Sequence, residues 1–550
     1  MGLRIIIVGG GVAGLSLANM LERFNIDYVL LEAHPQMAPQ VGASIALFPS
    51  GNRILDQIGC FEPVRHAAGH YHDTKTSLRG PGGAAMGELR LPFDLEQRLG
   101  YPAIWIERRM LLQILYKNIG HKHRILTKQR VKRVDLRPDG VRVHTEEGST
   151  FTGDMVVGAD GVHSVIRKEM WRIGKEVSPG YFPDNETSRM RICTRCIFGI
   201  SPRPDSLEHP SQHIVHYHGW AYIVGTGPDD RAYWTLFDGL KKTEYGEDVK
   251  YSKDDETALA KQHFGDHITE TTTFGELYNN RSMSTLVPLG EYVFEKWHFR
   301  RIITIGDSAH KVRLLIANNS MMVSSSLQFD PTSGQGGNGA LESAALLVNA
   351  LLRKLERSPE RLSGEAITSA VSEVHTRRYK RAKRLVYEAH MLQLLISHRL
   401  PFSSLILKCV VPLLGLNVFV DVVVLACIKA PRIEKLPVPK RSRLVPFEDE
   451  LPAAPIENAC ALWIPWALAS GLLGLLLGAA TCHPLLLAQY SHLDQLCGNK
   501  PAGQKPGIGI LTNLVPIFVA WLVESRRHGN NKCPLSLFVT LADDDEAYQN

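Results

Sequence analysis

Three rhythms of apolar and polar positions run along the chain. The first is the short continuous apolar run. Ile5-Ile6-Ile7-Val8, Tyr28-Val29-Leu30-Leu31, Met155-Val156-Val157 and Ile302-Ile303-Thr304-Ile305 are each closed by glycine or an acidic residue. Such runs predict buried strands. A helical pattern begins directly after the first, at Leu15, Leu17, Ala18 and Leu21. Ile104 to Leu115 reads as a further strand feeding an amphipathic helix. The second rhythm is strict alternation. It covers residues 124–157, with turns at Pro138-Asp139-Gly140 and Glu147-Gly148, and predicts a small antiparallel unit. Residues 190–240 predict a larger antiparallel sheet. Its clearest hairpin joins Ala221-Tyr222-Ile223-Val224 to Ala232-Tyr233-Trp234-Thr235-Leu236-Phe237 through Gly227-Pro228-Asp229-Asp230. Aromatic strands of this kind either wall an apolar pocket or form sheet core, and the pattern alone leaves both open.

The third rhythm is the long uncharged run, confined to the C-terminal part. Ala459 to Cys482 is flanked by Trp463 and Trp466 and predicts a transmembrane helix; Ile508 to Val523 is shorter. Basic clusters at Lys429 to Arg443 and at Arg526, Arg527 and Lys532 lie outside this pair, which puts both clusters on the cytosolic side. Cys409 to Ile428 carries Asp421, a costly residue in lipid, and is expected to lie on the membrane or pack against the core. Leu436-Pro437-Val438-Pro439 reads as a linker. The basic run Arg377 to Arg384 reads as a solvated face or, more sharply, a membrane-facing one.

At 550 residues the chain has length for two or three domains. The net charge of +6 is concentrated late in the chain, which argues against a nucleic-acid partner. No signal peptide is expected, because the N-terminus leads straight into a strand. Nine cysteines are scattered. The one C-x-x-C, Cys193 to Cys196, has no second pair to complete a metal site, so it reads as two strand residues in a reducing compartment and no metal is expected.

Candidate chemistry sits where strands end. Gly9, Gly11 and Gly14 follow the first run and open a helix, as a dinucleotide site requires. One glycine makes the turn, one lets the backbone approach a pyrophosphate, and one lets helix and strand pack closely. Glu32 ends the second run at about the 20-residue distance of a ribose-binding acid. A second strand-to-helix junction, Gly158-Ala159-Asp160-Gly161, is followed by Ser164 and Arg167. A third strand ends in Gly306-Asp307. Pro331-Thr332-Ser333-Gly334-Gln335-Gly336-Gly337-Asn338 then opens another helix, again a site for an anionic group.

These three motifs, in this order over about residues 1–400, resemble the single-component FAD-dependent aromatic hydroxylase superfamily, the group A flavoprotein monooxygenases. Ala38-Pro39-Gln40-Val41-Gly42-Ala43-Ser44 and Asp330 to Asn338 narrow the resemblance to PaxM-like fungal monooxygenases. Those enzymes epoxidise prenyl chains in meroterpenoid and indole-diterpene biosynthesis. The resemblance implies an α/β fold: a Rossmann-like FAD-binding domain, an inserted antiparallel β-sheet substrate domain, and C-terminal hydrophobic or transmembrane helices. The expected divisions are 1–180 and 291–400 for the FAD-binding domain and 181–290 for the substrate sheet. Residues 401–450 would form a hydrophobic segment with a Pro-rich, basic linker, and 451–550 a membrane region and tail.

The same resemblance implies the site. Glu32 would bind the adenosine ribose, Gly42 to Ala46 would lie on the flavin side, and Arg108 would contact FAD. Asp160 and Gly161 would serve the pyrophosphate and NADPH, Asp307 the ribityl chain, and Gly336 and Gly337 the flavin edge. Arg195 and Tyr217 would face the substrate as catalytic residues. NADPH would reduce FAD, and one atom of O2 would pass to a lipophilic prenylated substrate upstream of a terpene cyclase. The catalytic part would be cytosolic on an endoplasmic reticulum membrane. Aromatic hydroxylation, prenyl-chain reduction and a non-catalytic membrane-bound remnant are the alternatives. The chain departs from the family pattern at Val312 to Gln328, 17 residues between His310-Lys311 and Phe329-Asp330-Pro331. The insertion keeps frame, and its end residues permit donor-like and acceptor-like codons, so it reads as a retained intron or else a surface loop.

Overall fold

The structure, a computed structural model, describes residues 2–39, 44–69, 71–246, 249–311, 335–396 and 417–451. The apolar runs form the centre of a six-stranded sheet. Its order is His298–Phe299, Ile302–Thr304, Met155–Gly158, Arg4–Val8, Asp27–Leu31 and Ile125–Leu126. All are parallel except the His298–Phe299 edge. Ile5, Ile6 and Ile7 are wholly buried, as β-branched strands covered on both faces should be. The alternating stretch gives the three-stranded antiparallel unit Val131–Arg137, Gly140–Thr145 and Thr150–Gly153.

The second large sheet has eight strands and holds the expected hairpin, with Asp229 and Asp230 at positive φ in its turn. It is not confined to residues 181–290. Its far edge is made by Lys75–Arg79 and Ala85–Leu89, from within the first expected division, and its near edge by His310–Lys311. Lys75–Arg79 pairs in parallel with Ser211–His216, more than 130 residues later in the chain. A short strand held by so distant a partner leaves little local pattern.

The described C-terminal part meets one expectation and departs from another. Asn417–Ile428 is a helix packed on the body, and Asp421 ion-pairs with Arg98. This accounts for a carboxylate in an apolar run and favours core packing for the described residues. The basic stretch after it is a docked strap rather than a linker. Gln57 donates to the carbonyls of Ile433 and Leu436, and Arg441 spans Asp56 and Glu62. Lys429, Arg432 and Arg443 pair with Glu448, Asp449 and Glu450. Among the described residues no helix is long and apolar enough to cross a membrane. The expected spans 459–482 and 508–523, and the insertion 312–328, lie outside the described residues.

The basic run at 377–384 is neither a solvated nor a membrane face throughout. Arg378 is fully buried and meets Glu342 at 2.5 Å, and Arg381 meets the same carboxylate at 2.7 Å. Burial pushes the Glu342 carboxyl up, but Arg381 and Arg378 outweigh it and leave it below the ordinary carboxylate range. The pair therefore contributes above the ordinary carboxylate pKa and is lost as pH falls through the lowered value. Glu342→Ala strands the buried Arg378 and removes the partner of the partly buried Arg381, and is expected to cost about 3–5 kcal/mol in urea unfolding at neutral pH. A loss below about 1 kcal/mol would contradict the burial described.

Candidate functional site

The strand Arg4–Val8 ends at Gly9, whose φ of +105° suits a residue without Cβ. A Cβ there would lie 2.4 Å from the Ala159 carbonyl oxygen, and one on Gly14 would lie 2.0 Å from the Gly9 carbonyl oxygen. The chain turns at Gly11 into the helix Val12–Arg23. No side chain caps this helix, and no acid stands in its first turn. Its first N–H groups and positive dipole end are left for an anion. Glu32 closes the loop from the other side: its carboxylate accepts from Gly10 N at 2.6 Å and from His34 N at 2.7 Å.

A cavity of about 400 Å³ opens beside this loop. Of the expected cofactor residues, Gly11, Ala46, Arg108, Gly161, Asp307, Gly336 and Gly337 line it. They come from segments up to 326 residues apart, most of them near the end of a strand or the start of a helix. Gly42 lies outside the described residues. Arg108 begins the helix Arg108–Asn118, and its guanidinium stands 3.5 Å from where a Gly11 Cβ would be. Burial disfavours its charge, and the carboxylates of Asp307 and Glu32 oppose that shift. Asp160 does not line the cavity. Its carboxylate accepts from Ser164 Oγ at 2.6 Å, Ser308 Oγ at 3.1 Å and Ile166 N at 3.0 Å. It fixes the second junction and so orients Gly161.

Asn338, fully buried, clamps two sides of the cavity together. Its Oδ1 accepts from Phe48 N at 3.0 Å and its Nδ2 donates to Ala46 O at 3.1 Å. The strand Ser44–Leu47 is thereby tied to the start of the helix Gln335–Arg357. Glu107, 1% exposed, ties the same region to the large sheet through Arg231 and the Tyr233 hydroxyl. Burial and the Glu107 charge push the Tyr233 phenol up, so it remains a donor.

The large sheet closes the cavity with Phe198, Gln212, Ile223, Tyr233, Thr235, Phe237 and Leu289. Arg195 and Tyr217 are not among them. Strand side chains alternate between faces, so Arg195, three residues from Phe198 on the same strand, points to the far face; Tyr217, in the turn after Ser211–His216, packs on that same side. Arg195 pairs there with Asp238 at 2.8 Å. Tyr217 stacks on Trp220 at 5.3 Å and exchanges hydrogen bonds with the His267 backbone at 2.9 and 3.0 Å. That face is covered by the helices Lys253–Gln262 and Phe274–Asn279 through Leu259, Phe274 and Leu277. Neither of the two residues expected on the substrate side lines this cavity: Arg195 falls on the other strand face from Phe198, and Tyr217 lies in the turn beyond Ser211–His216. The readable signal was the alternation Tyr233, Thr235, Phe237 in the hairpin itself.

A loop with no room for a Cβ at Gly9 or Gly14, an uncapped helix start and a cation over it suit a dinucleotide with a pyrophosphate, beside a cavity that Ala46, Gly336 and the sheet line. The fold and site are those of a dinucleotide-binding protein. A family model described as an FAD binding domain matches residues 3–389. The FAD-dependent monooxygenase spyC of Aspergillus fumigatus is 34% identical over 443 residues, covering 80% of this chain and 89% of that protein. The FAD-dependent monooxygenase ausM of Penicillium brasilianum is 35% identical, covering 80% and 88%. Among solved structures, Klebsiella pneumoniae HpxO complexed with FAD and uric acid aligns with a TM-score of 0.58 at 18% identity, covering 77% of this chain and 97% of that one. The chain belongs to the FAD-binding-domain family and, within it, to the fungal FAD-dependent monooxygenases.

Arg108→Ala is expected to weaken FAD binding roughly 10–100-fold, the worth of a hydrogen bond to a charged group. Flavin fluorescence at fixed salt measures it. Arg195→Ala, on the far face, is expected to leave FAD affinity unchanged, and the reverse order of effects would contradict the site described.

Proposed function

We propose that this monooxygenase epoxidises the terminal double bond of a prenyl chain, farnesyl or longer, on a meroterpenoid-type intermediate, with NADPH as reductant. The observation that carries the reading is the sheet wall of the cavity. Phe198, Ile223, Phe237 and Leu289 are apolar, and among the described residues no charged side chain stands on that wall. A wall of this kind favours a lipophilic substrate carried without ionic anchoring. The charged residues of the cavity, Arg108 and Asp307, stand on the opposite, cofactor side.

FAD, when bound, supplies the electron transfer and the oxygen activation. The chain supplies holding, orientation and dryness. Arg108 and the start of the helix Val12–Arg23 favour phosphate charge. The helix Gln335–Arg357 presents its positive end at Gly336 and Gly337, which favours negative charge developing against it. The aromatic wall keeps water from the reacting face. The same reading puts the protein at the endoplasmic reticulum membrane with its catalytic part in the cytosol. The uncharged runs 459–482 and 508–523 support that placement, and a terpene cyclase would consume the epoxide.

Microsomes carrying the chain, with and without residues 312–328, are to be given farnesylated aromatic acids and NADPH under labelled O2. One label in an acid-sensitive epoxide is the expected product. A labelled phenol would move the assignment to aromatic hydroxylation, and a product reduced without label would contradict oxygen transfer.

A further inference from the structure

The flavin cavity does not end at its own wall. Trp105, Gln212 and Ile223 line it, and the same three side chains line a second recess of about 20 Å³. The far side of that recess is built by Leu78 and Leu89 of the outer strands and by Phe419 and Val423 of the helix Asn417–Ile428. Its polar lining groups are Thr76 and Gln212. Both are buried, and the Thr76 hydroxyl donates to Gln212 Oε1 at 3.0 Å. No charge faces the recess among the described residues. Such a lining accepts hydrocarbon and penalises any group that needs a hydrogen bond.

Space of this size holds little more than a methyl-sized group, so the partition matters more than the void. Trp105 is half-buried and meets Phe48 edge-on at 6.0 Å. It also borders a third small cavity, of about 30 Å³, beside His209 and Pro210. Interior side chains are ordinarily packed on all sides. This ring instead borders open space on three sides.

We propose that the recess behind Trp105 and Gln212 is a subsite of the flavin cavity that takes the hydrocarbon end of the substrate, and that Trp105 sets how long that end can be. The proposal rests on the lipophilic substrate inferred above. It also gives the helix Asn417–Ile428 a task in the site: Phe419 and Val423 close the subsite, and the Arg98–Asp421 pair holds them there.

The test uses the FAD-loaded chain and three probes, geraniol, farnesol and geranylgeraniol, each titrated against the flavin absorbance band. Val423→Phe and Leu89→Phe fill the recess from opposite sides, and neither residue lines the flavin cavity. Either is expected to weaken the longest alcohol that the unaltered chain binds by about tenfold or more, since one methylene in an apolar pocket is worth about 10–200-fold. Geraniol binding is expected to stay unchanged. Trp105→Leu is expected to tighten the next longer homologue by a similar factor. Bound FAD shows that each variant is folded. Equal changes for all three alcohols, or none, would make the recess a packing gap and overturn the proposal, as would failure of the unaltered chain to bind any of them. A labelled phenol in the oxygen experiment would overturn epoxidation and leave the subsite standing.

Discussion

No side-chain carbon fits at Gly9 or Gly14, and the rest of the site depends on that. The strand Arg4–Val8 can turn directly into the helix Val12–Arg23 only because backbone meets backbone there: a Cβ on either glycine would stand within 2.4 Å of a carbonyl oxygen. The close turn leaves the helix start uncapped and aimed at the cavity. Glu32 holds the loop by its backbone, Arg108 stands over it, and Asp160 fixes the next junction through Ser164 and Ser308. Asn338 then draws the third motif in, across nearly 300 residues of sequence. The site is a meeting of backbone ends, so its selectivity for a cofactor comes from N–H groups and dipoles more than from side chains.

That is also why so much of it was legible in the sequence. Glycines that cannot be replaced, and apolar runs that must be buried, announce themselves in spacing, and the parallel sheet stands where that spacing implies; seven of the residues that the resemblance named line one cavity. What stayed hidden was set by tertiary contact. Parity in a strand is fixed only by what lies on each face, so Arg195 could be placed in the right sheet and still turn away from the cavity, and Tyr217 sits in the turn just past a strand. Lys75–Arg79 and Ala85–Leu89 join the sheet through a remote partner. The strap after Ile428 has a linker's composition, yet Gln57, Asn349 and Asp56 capture its backbone and its cations.

The helix Asn417–Ile428 is placed in a way composition could not suggest. An apolar run with one carboxylate looks like membrane sequence with a flaw. In the structure the carboxylate finds Arg98, and the apolar face closes the outer edge of the substrate sheet beside the flavin cavity. The motif side of the cavity thus carries its charged groups, Arg108 and Asp307, beside glycine backbone, while the sheet side is uncharged and built from side chains. This division matches the labour of a flavin oxygenase, in which the cofactor carries the chemistry and the protein orients it and keeps it dry.

The central claim is where the flavin lies. The most direct measurement is a crystal structure of the chain with FAD bound. The account places the pyrophosphate at the start of the helix Val12–Arg23 beside Arg108, with the ring between Gly336 and the wall of Phe198 and Phe237. A ring found on the other face of the sheet, against Arg195 and Tyr217, would contradict it.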